Sequence, residues 1–159
     1  MHMIQNKIES IESGNKHLDN LVKLFLNKFE DRIAQFRLVG NKILLSLRVG
    51  KKNNRQQTIT IGIIQVPDEP FLINSNNTGA LILSRIGKIT TDGDMHEILR
   101  YGFGIHHSGI VMEDDFTVCL KHTIDEIEDL SLSKFSMILL EMAHHADVME
   151  EILFQQDIH

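Results

Sequence analysis

The stretch LDNLVKLFLNKFEDRIAQFRLVGNKILLSLRV, residues 18–49, carries two periodicities, and the change between them decides the fold class. Leu18, Leu21, Val22, Phe25, Phe29, Ile33 and Phe36 follow one another at helical spacing, which predicts a single amphipathic helix of about five turns. Ile43, Leu45, Leu47 and Val49 then alternate with Lys42, Leu44, Ser46 and Arg48, the period of a strand with one covered face. Leu24 falls off the helical stripe and is expected to be exposed. Ahead of the helix, Asn15 reads as its N-cap, and Gly14 as the stop of a weaker leading helix through Ile4, Ile8 and Ile11. A short strand at 37–39 either precedes a Gly40-Asn41 turn or runs on into the next strand.

Outward from this stretch the period of two continues. Ile59, Ile61 and Ile63 alternate with Thr58, Thr60 and Gly62, joined to the previous strand across residues 50–55 and stopped by Pro67 and Pro70. Residues 74–79 read as a loop, and Leu81, Ile82, Leu83 and Ile86 as a third strand. Asp94 with Glu97 forms an expected capping box for a short helix through Met95, Ile98 and Leu99, which Gly102 terminates. Segments 104–112 and 116–122 flank the turn Glu113-Asp114-Asp115 and predict a hairpin. The helical period returns with Phe135, Ile138, Leu139, Met142, Ala146, Met149 and Leu153, capped by Ser131 or Ser133. Met137, Leu140 and Val148 lie on the other side of this helix, so it is expected to be covered twice, by its own chain and by a second copy in a homodimer. The expectation is one α+β domain: an antiparallel sheet of about five strands with an N-terminal helix, a short middle helix and a long C-terminal helix. Its core spans 15–156, behind a weakly ordered segment 1–14.

Composition narrows the function classes. A chain of 159 residues suits one domain, and 42% hydrophobic with 24% charged residues excludes a disordered or fibrous protein. The single cysteine, Cys119, permits neither an intrachain disulfide nor a thiolate metal site, and it sits mid-strand where a buried, inert thiol is expected. No uncharged apolar run approaches the roughly 20 residues of a membrane span, and the polar start of the chain is unlike a signal peptide, so a cytoplasmic protein without a membrane partner is expected. The net charge of −6 divides unevenly: residues 1–66 hold 11 Lys and Arg against 5 Asp and Glu, residues 67–159 hold 5 against 17. Such polarity suits a nucleic-acid patch, or two surfaces that meet within or between copies. Lys51, Lys52 and Arg55 surround Asn53 and Asn54 with no aromatic residue to stack a base, which argues against nucleic acid.

No motif specifies a chemistry. Nine histidines invite a metal reading, and Glu141-x-x-His144 beside His145, Asp147, Glu150 and Glu151 superficially matches one element of a di-metal bundle. At about 100° per residue, however, His144 lies nearly opposite the buried stripe, where a bundle ligand would project inward. His106 and His107 are adjacent, and on a strand they point to opposite faces. Neither a phosphate loop nor a dinucleotide fingerprint occurs. The expected protein has no catalytic residue, no metal and no cofactor; the alternative is a His-rich metal-dependent enzyme or a regulatory interaction protein.

The helix at 95–101, the strand beginning Gly104-Ile105, the acidic turn Glu113-Asp114-Asp115, the strand Phe116-Thr117-Val118-Cys119-Leu120 and a helix ending Ala146-Asp147-Val148-Met149-Glu150-Glu151-Ile152-Leu153 together resemble the CesT-type chaperones of type III secretion and the related YbjN-like proteins. With the first helix and two strands, the resemblance covers most of residues 16–155. It implies a small acidic bacterial homodimer that holds an extended segment of a client or effector protein without ATP. It also implies a dimer interface through the short middle helix, at Ile98, Leu99 and Tyr101, and client contacts on apolar patches of the first helix and sheet. Leu24 and Ile64, both off their elements' buried faces, are the candidate contacts. The basic first half departs from the uniformly acidic surface of such chaperones.

An antiparallel sheet in an open α+β domain has edges, to which an extended peptide can add by backbone pairing. Segment 58–66 has no charge along its length, so it is the expected docking edge if it lies outermost, with Lys51, Lys52 and Arg55 attracting an acidic client segment.

Overall fold

The computed structural model describes residues 11–49, 55–65, 78–102, 104–105 and 108–155. The elements are α1 (Lys16–Lys28), a 3-10 turn (Glu30–Arg32), β1 (Ile33–Val39), β2 (Lys42–Arg48), β3 (Gln56–Gln65), β4 (Thr78–Lys88), α2 (Asp92–Gly102), β5 (Gly109–Met112), β6 (Thr117–Ile124) and α3 (Leu132–Gln155). The leading helix through Ile4 and Ile8, the tip bearing Lys51 and Lys52, the stop at Pro67 and Pro70, and the pair His106-His107 lie outside the described residues.

Six strands, one more than expected, pair antiparallel in the order β1-β2-β3-β4-β6-β5. The sixth is β1: the short strand considered at 37–39 does precede the Gly40-Asn41 turn, and it begins earlier, at Ile33, within the expected first helix. Residues 29–36 keep helical apolar spacing, yet α1 ends at Lys28, where Phe29 N–H donates to Phe25 O at 2.9 Å. Glu30 and Asp31 follow at the helix's negative end, where carboxylates are unfavourable. Ile33 and Phe36 are nevertheless both buried, three residues apart, because a bulge between Ile33 and Gln35 inserts one extra residue. Ile33 thus faces Leu47 and Phe36 faces Leu45, both on the covered side of the sheet. The bulge makes strand residues imitate a helical stripe. Gly40, with φ +61°, and Asn41 close the two-residue turn from Val39 to Lys42.

Helix α3 lies over β3 and β4 and is flanked by α1 and α2. Phe135, Ile138, Leu139, Met142, Ala146 and Met149 face Ile59, Ile61, Ala80 and Ile82 in one core, and Phe25 meets Phe135 edge-on at 6.0 Å between ring centroids. Asn15 caps α1 as expected, accepting from Leu18 N–H at 2.9 Å, and its amide donates to Glu128 Oε1 at 2.9 Å, which fixes α1 against the loop before α3. Ser131, the first of the two candidate caps, accepts from Lys134 N–H at 3.2 Å.

The start of α2 differs from the expected box. Asp94 is the responding residue and Thr91 the cap: Asp94 N–H donates to Thr91 Oγ1 at 3.2 Å, and Asp94 Oδ2 accepts from Thr91 N–H at 2.9 Å, Thr90 N–H at 3.0 Å and Thr90 Oγ1 at 2.9 Å. Glu97 instead sits 3.7 Å from Arg100. At the other end, a Cβ at Gly102 would clash with Ile110 Cδ1, so the absence of a side chain lets α2 close onto β5.

Burial alone pushes the Asp94 carboxyl up, and the hydrogen bonds from Thr90 and Thr91 more than offset it, leaving the group below an aspartate's ordinary value of 3.8. A carboxylate lowered in the folded state stabilises above its unfolded value and loses that contribution as pH falls through its folded value. Asp94→Ala is therefore expected to destabilise by about 1–2 kcal/mol at pH 7. In urea unfolding the gap from the parent should narrow as pH is lowered from 5 to about 2; a gap that stays constant with pH would contradict it.

Candidate protein-docking surface

Strand β3 pairs with β2 on one side and β4 on the other, so the described part of segment 58–66, residues 58–65, is central and the expected docking edge is not there. Its lack of charge reflects burial between neighbours. Among the described residues the edges of the sheet are β1 and β5. Strand β5 is four residues long, whereas β1 runs for seven and has one charged residue, Arg37. Its outward backbone groups can accept a further strand. Leu38 and Val39 at its end are 36% and 57% exposed.

The face of the sheet away from α3 is continuous with this edge. Register places Arg37, Leu44, Thr60, Leu83 and Lys121 side by side, with Val39, Lys42, Gly62, Leu81 and Thr123 in the next row. Leu44, Leu81 and Leu83 are half-buried, as is Ile64, which lies beside Gly79. Ile64 thus takes the outward face its alternation implies, on a central strand rather than an edge.

The other expected contacts scatter. Leu24 is 42% exposed on α1. Of the middle-helix residues, Leu99 is 50% exposed, whereas Ile98 is fully buried within its own chain and is not available to a partner. Tyr101 is half-buried, its hydroxyl 2.9 Å from His145 Nδ1, which holds α2 to α3; desolvation raises its phenol. Met137 is exposed on α3, but Leu140 and Val148 are half-buried, since α1 and α2 flank this helix. Sequence reading missed Met112 and Phe116, both exposed at the β5–β6 hairpin. Phe116 holds φ +64°, donating its N–H to Glu113 O at 3.0 Å while Glu113 N–H donates to Thr117 O at 2.8 Å. A left-handed residue closing a type I hairpin turn is ordinarily glycine, which no sequence rule for Phe would suggest.

Arg55 was expected to attract a client and is occupied at home. Its Nε lies 2.7 Å from Asp147 Oδ1, its Nη2 and Nη1 lie 3.6 Å from Glu150 and Glu151, and Nη2 donates to Asp147 O at 3.0 Å. The Asp147 contact is electrostatic rather than a well-aligned hydrogen bond, since no donor is aimed at buried Oδ1 among the described residues. Gln57 Nε2 donates to Glu150 Oε2 at 2.8 Å, and Ser84 Oγ donates to Thr58 O at 3.3 Å beneath it. Burial raises the Glu150 carboxyl, with Arg55 pulling in the opposite sense. This network fastens the start of β3 to α3.

Cys119 is buried and desolvation raises its thiol, the opposite of activation. His144 is exposed on α3, its ring 5.5 Å from that of His145. Among the described residues no three His, Cys, Asp or Glu side chains group in a way that could hold a metal ion, and no helix is long and apolar enough to cross a membrane.

This arrangement of sheet and helices overlays on a solved structure, that of the Yersinia pestis type III secretion chaperone SycH in complex with a stable fragment of YscM2. The TM-score is 0.50 at 12% identity, over 84% of this chain and 97% of that one. The fold is that of a type III secretion chaperone. No protein-family model and no curated protein matches the sequence.

Arg55→Ala would leave Asp147 and Glu150 without their cation and is expected to lower stability by about 1–2 kcal/mol in urea unfolding. Glu151→Ala, at a more exposed partner 3.6 Å away, should cost no more than about 0.5 kcal/mol. Equal losses in the two variants would refute the network's role.

Proposed function

We propose that this chain is a non-enzymatic protein-binding module that holds an extended segment of a client protein, in the manner of a type III secretion chaperone. The observation that carries this reading is the β1 edge: a seven-residue outer strand, alternate residues of which turn their N–H and C=O outward, ending in exposed Leu38 and Val39 and continuous with a half-apolar sheet face. Backbone pairing along such an edge supplies affinity with little demand on client sequence, and alternate side chains supply selectivity. It needs no cofactor and no ATP. The likeness in fold to a chaperone solved with a fragment of another protein supports the same reading, as does the buried, desolvated state of the one cysteine. Ile64 and Leu24 remain client contacts on this proposal, Ile64 through the open sheet face. Residence in the cytoplasm accords with the single unpaired thiol.

The same proposal includes a homodimer through α2 and the β5–β6 hairpin, where Leu99, Met112 and Phe116 are about half exposed. Tyr101 belongs to the rim of that surface, and Met137 offers a further exposed apolar contact on α3.

Two experiments test the reading. A photo-crosslinking amino acid at Val39 should capture one client polypeptide in the native host, whereas one at exposed Asp129 should not; the absence of an adduct at Val39, or equal capture at both, would overturn the edge. In sedimentation at micromolar concentration the protein should run at twice its 18.2 kDa chain mass, and Leu99→Asp should run as a folded monomer. A parent that is monomeric, or a variant that stays dimeric, would remove the dimer from the proposal.

A further inference from the structure

A cavity of about 340 Å³ opens between the end of β2, the 3-10 turn and α3. Its floor is apolar, built by Leu47, Val49, Leu140 and Ala143, and its rim carries Arg32, Arg48 and His144. Among the described residues that line it there is no carboxylate. Elsewhere Arg55, Arg85, Lys88 and Arg100 each have a carboxylate within ion-pair distance. Arg48 is held by donating from Nη1 to Asp31 O at 2.7 Å, a neutral acceptor that orients the guanidinium without cancelling its charge. For Arg32 no carboxylate partner occurs among the described residues.

We propose that this pocket takes an acidic residue of the client together with the aliphatic side chain next to it: the aliphatic group sits on Leu47, Val49, Leu140 and Ala143, and the carboxylate accepts from Arg32 and Arg48. The volume lies at the lower end of the range for small-ligand pockets, of the order of 300–1,000 Å³, which suits one or two side chains rather than a helix. Guanidinium groups present paired N–H donors that match a carboxylate. A lysine-bearing segment meets two guanidinium groups and is repelled. This assigns client chemistry to a second site, and it rests on the reading that the chain holds a peptide.

The test uses the full chain, isotopically labelled, with amide resonances followed as the peptide acetyl-Gly-Glu-Leu-Glu-Gly-amide is added to millimolar concentration. Shifts are expected at residues 47–49 and 140–144 and should be absent with acetyl-Gly-Lys-Leu-Lys-Gly-amide. Affinity should fall about tenfold for each arginine neutralised in Arg32→Gln and Arg48→Gln, with thermal unfolding reporting that both variants are folded. Arg32→Glu with Arg48→Glu should abolish the shifts. Equal binding of the acidic and lysine peptides, or undiminished binding by the glutamine variants, would overturn the proposal. So would saturation of the same resonances by octanoate with none by the peptide, which would assign the pocket to a free aliphatic acid. Shifts in β1 without shifts at the pocket would sink the pocket and leave the edge reading standing; shifts at the pocket without any in β1 would support the pocket and count against the edge.

Discussion

The packing of α3 across β3 and β4 is the contact on which the rest of the structure depends. A six-stranded sheet with two unequal faces needs one of them covered, and α3 supplies most of that cover from a single 24-residue element. Each buried Ile, Leu or Phe contributes roughly 1.5–3 kcal/mol relative to its exposed state. The helices flanking α3 are then positioned by it: α1 through Phe25 on Phe135, α2 through Tyr101 on His145. Neither short helix would be stable alone, because nucleation is costly and both are below the length that holds in water. With the helices gathered on one side, the described residues leave the opposite face and the two strand edges without a covering helix.

The chain departs from local rules at the points where those edges are made. A bulge at the start of β1 shifts Ile33 and Phe36 onto the covered face, so that the outer strand is anchored at its beginning and exposed at its end. At the opposite edge Phe116 occupies a left-handed conformation that costs an L-residue of the order of 1 kcal/mol, with its ring 60% exposed. The turn is held by other means: Lys88 reaches Asp115 at 2.9 Å, and hydrogen bonds from Lys88 and Thr117 bring the Asp115 carboxyl down to about 2. An aromatic ring kept out in solvent by a strained backbone gains nothing in the isolated chain, which is why it figures in the proposed contact between copies.

Most of the architecture was legible because its elements obey one period each. The alternation of Ile43, Leu45 and Leu47, that of Ile59 and Ile61, and the long stripe from Phe135 to Leu153 all correspond to buried faces. The misreading of residues 29–36 has a definite cause: a bulge turns a period of two into an interval of three, which no count of apolar spacing distinguishes from a helix. The docking edge was misplaced because an uncharged strand is equally compatible with an edge and with a centre, and only pairing tells them apart. The rim of Arg32, Arg48 and His144 could not be assembled from sequence, since it joins residues about a hundred positions apart across β2 and α3. Arg32 and Arg48 carried a weak signal, lying in the basic half of the chain.

That charge polarity is resolved partly within the molecule. Glu150 and Glu151 stand toward the carbonyl end of α3, where the helix dipole disfavours negative groups, and no basic residue occupies its last turn. Arg55, from the basic half, supplies the missing cation from just ahead of β3, and the neutral Asn15 amide donates to Glu128. Acidic residues of the second half thus draw the start of β3 and the head of α1 toward the helix layer. The pairing stops there: Arg32, Arg37 and Arg48 sit on β1, β2 and the turn before them, with no carboxylate opposite among the described residues. On the proposed reading, an extended acidic client segment would meet these guanidinium groups beside the edge strand and the apolar cavity.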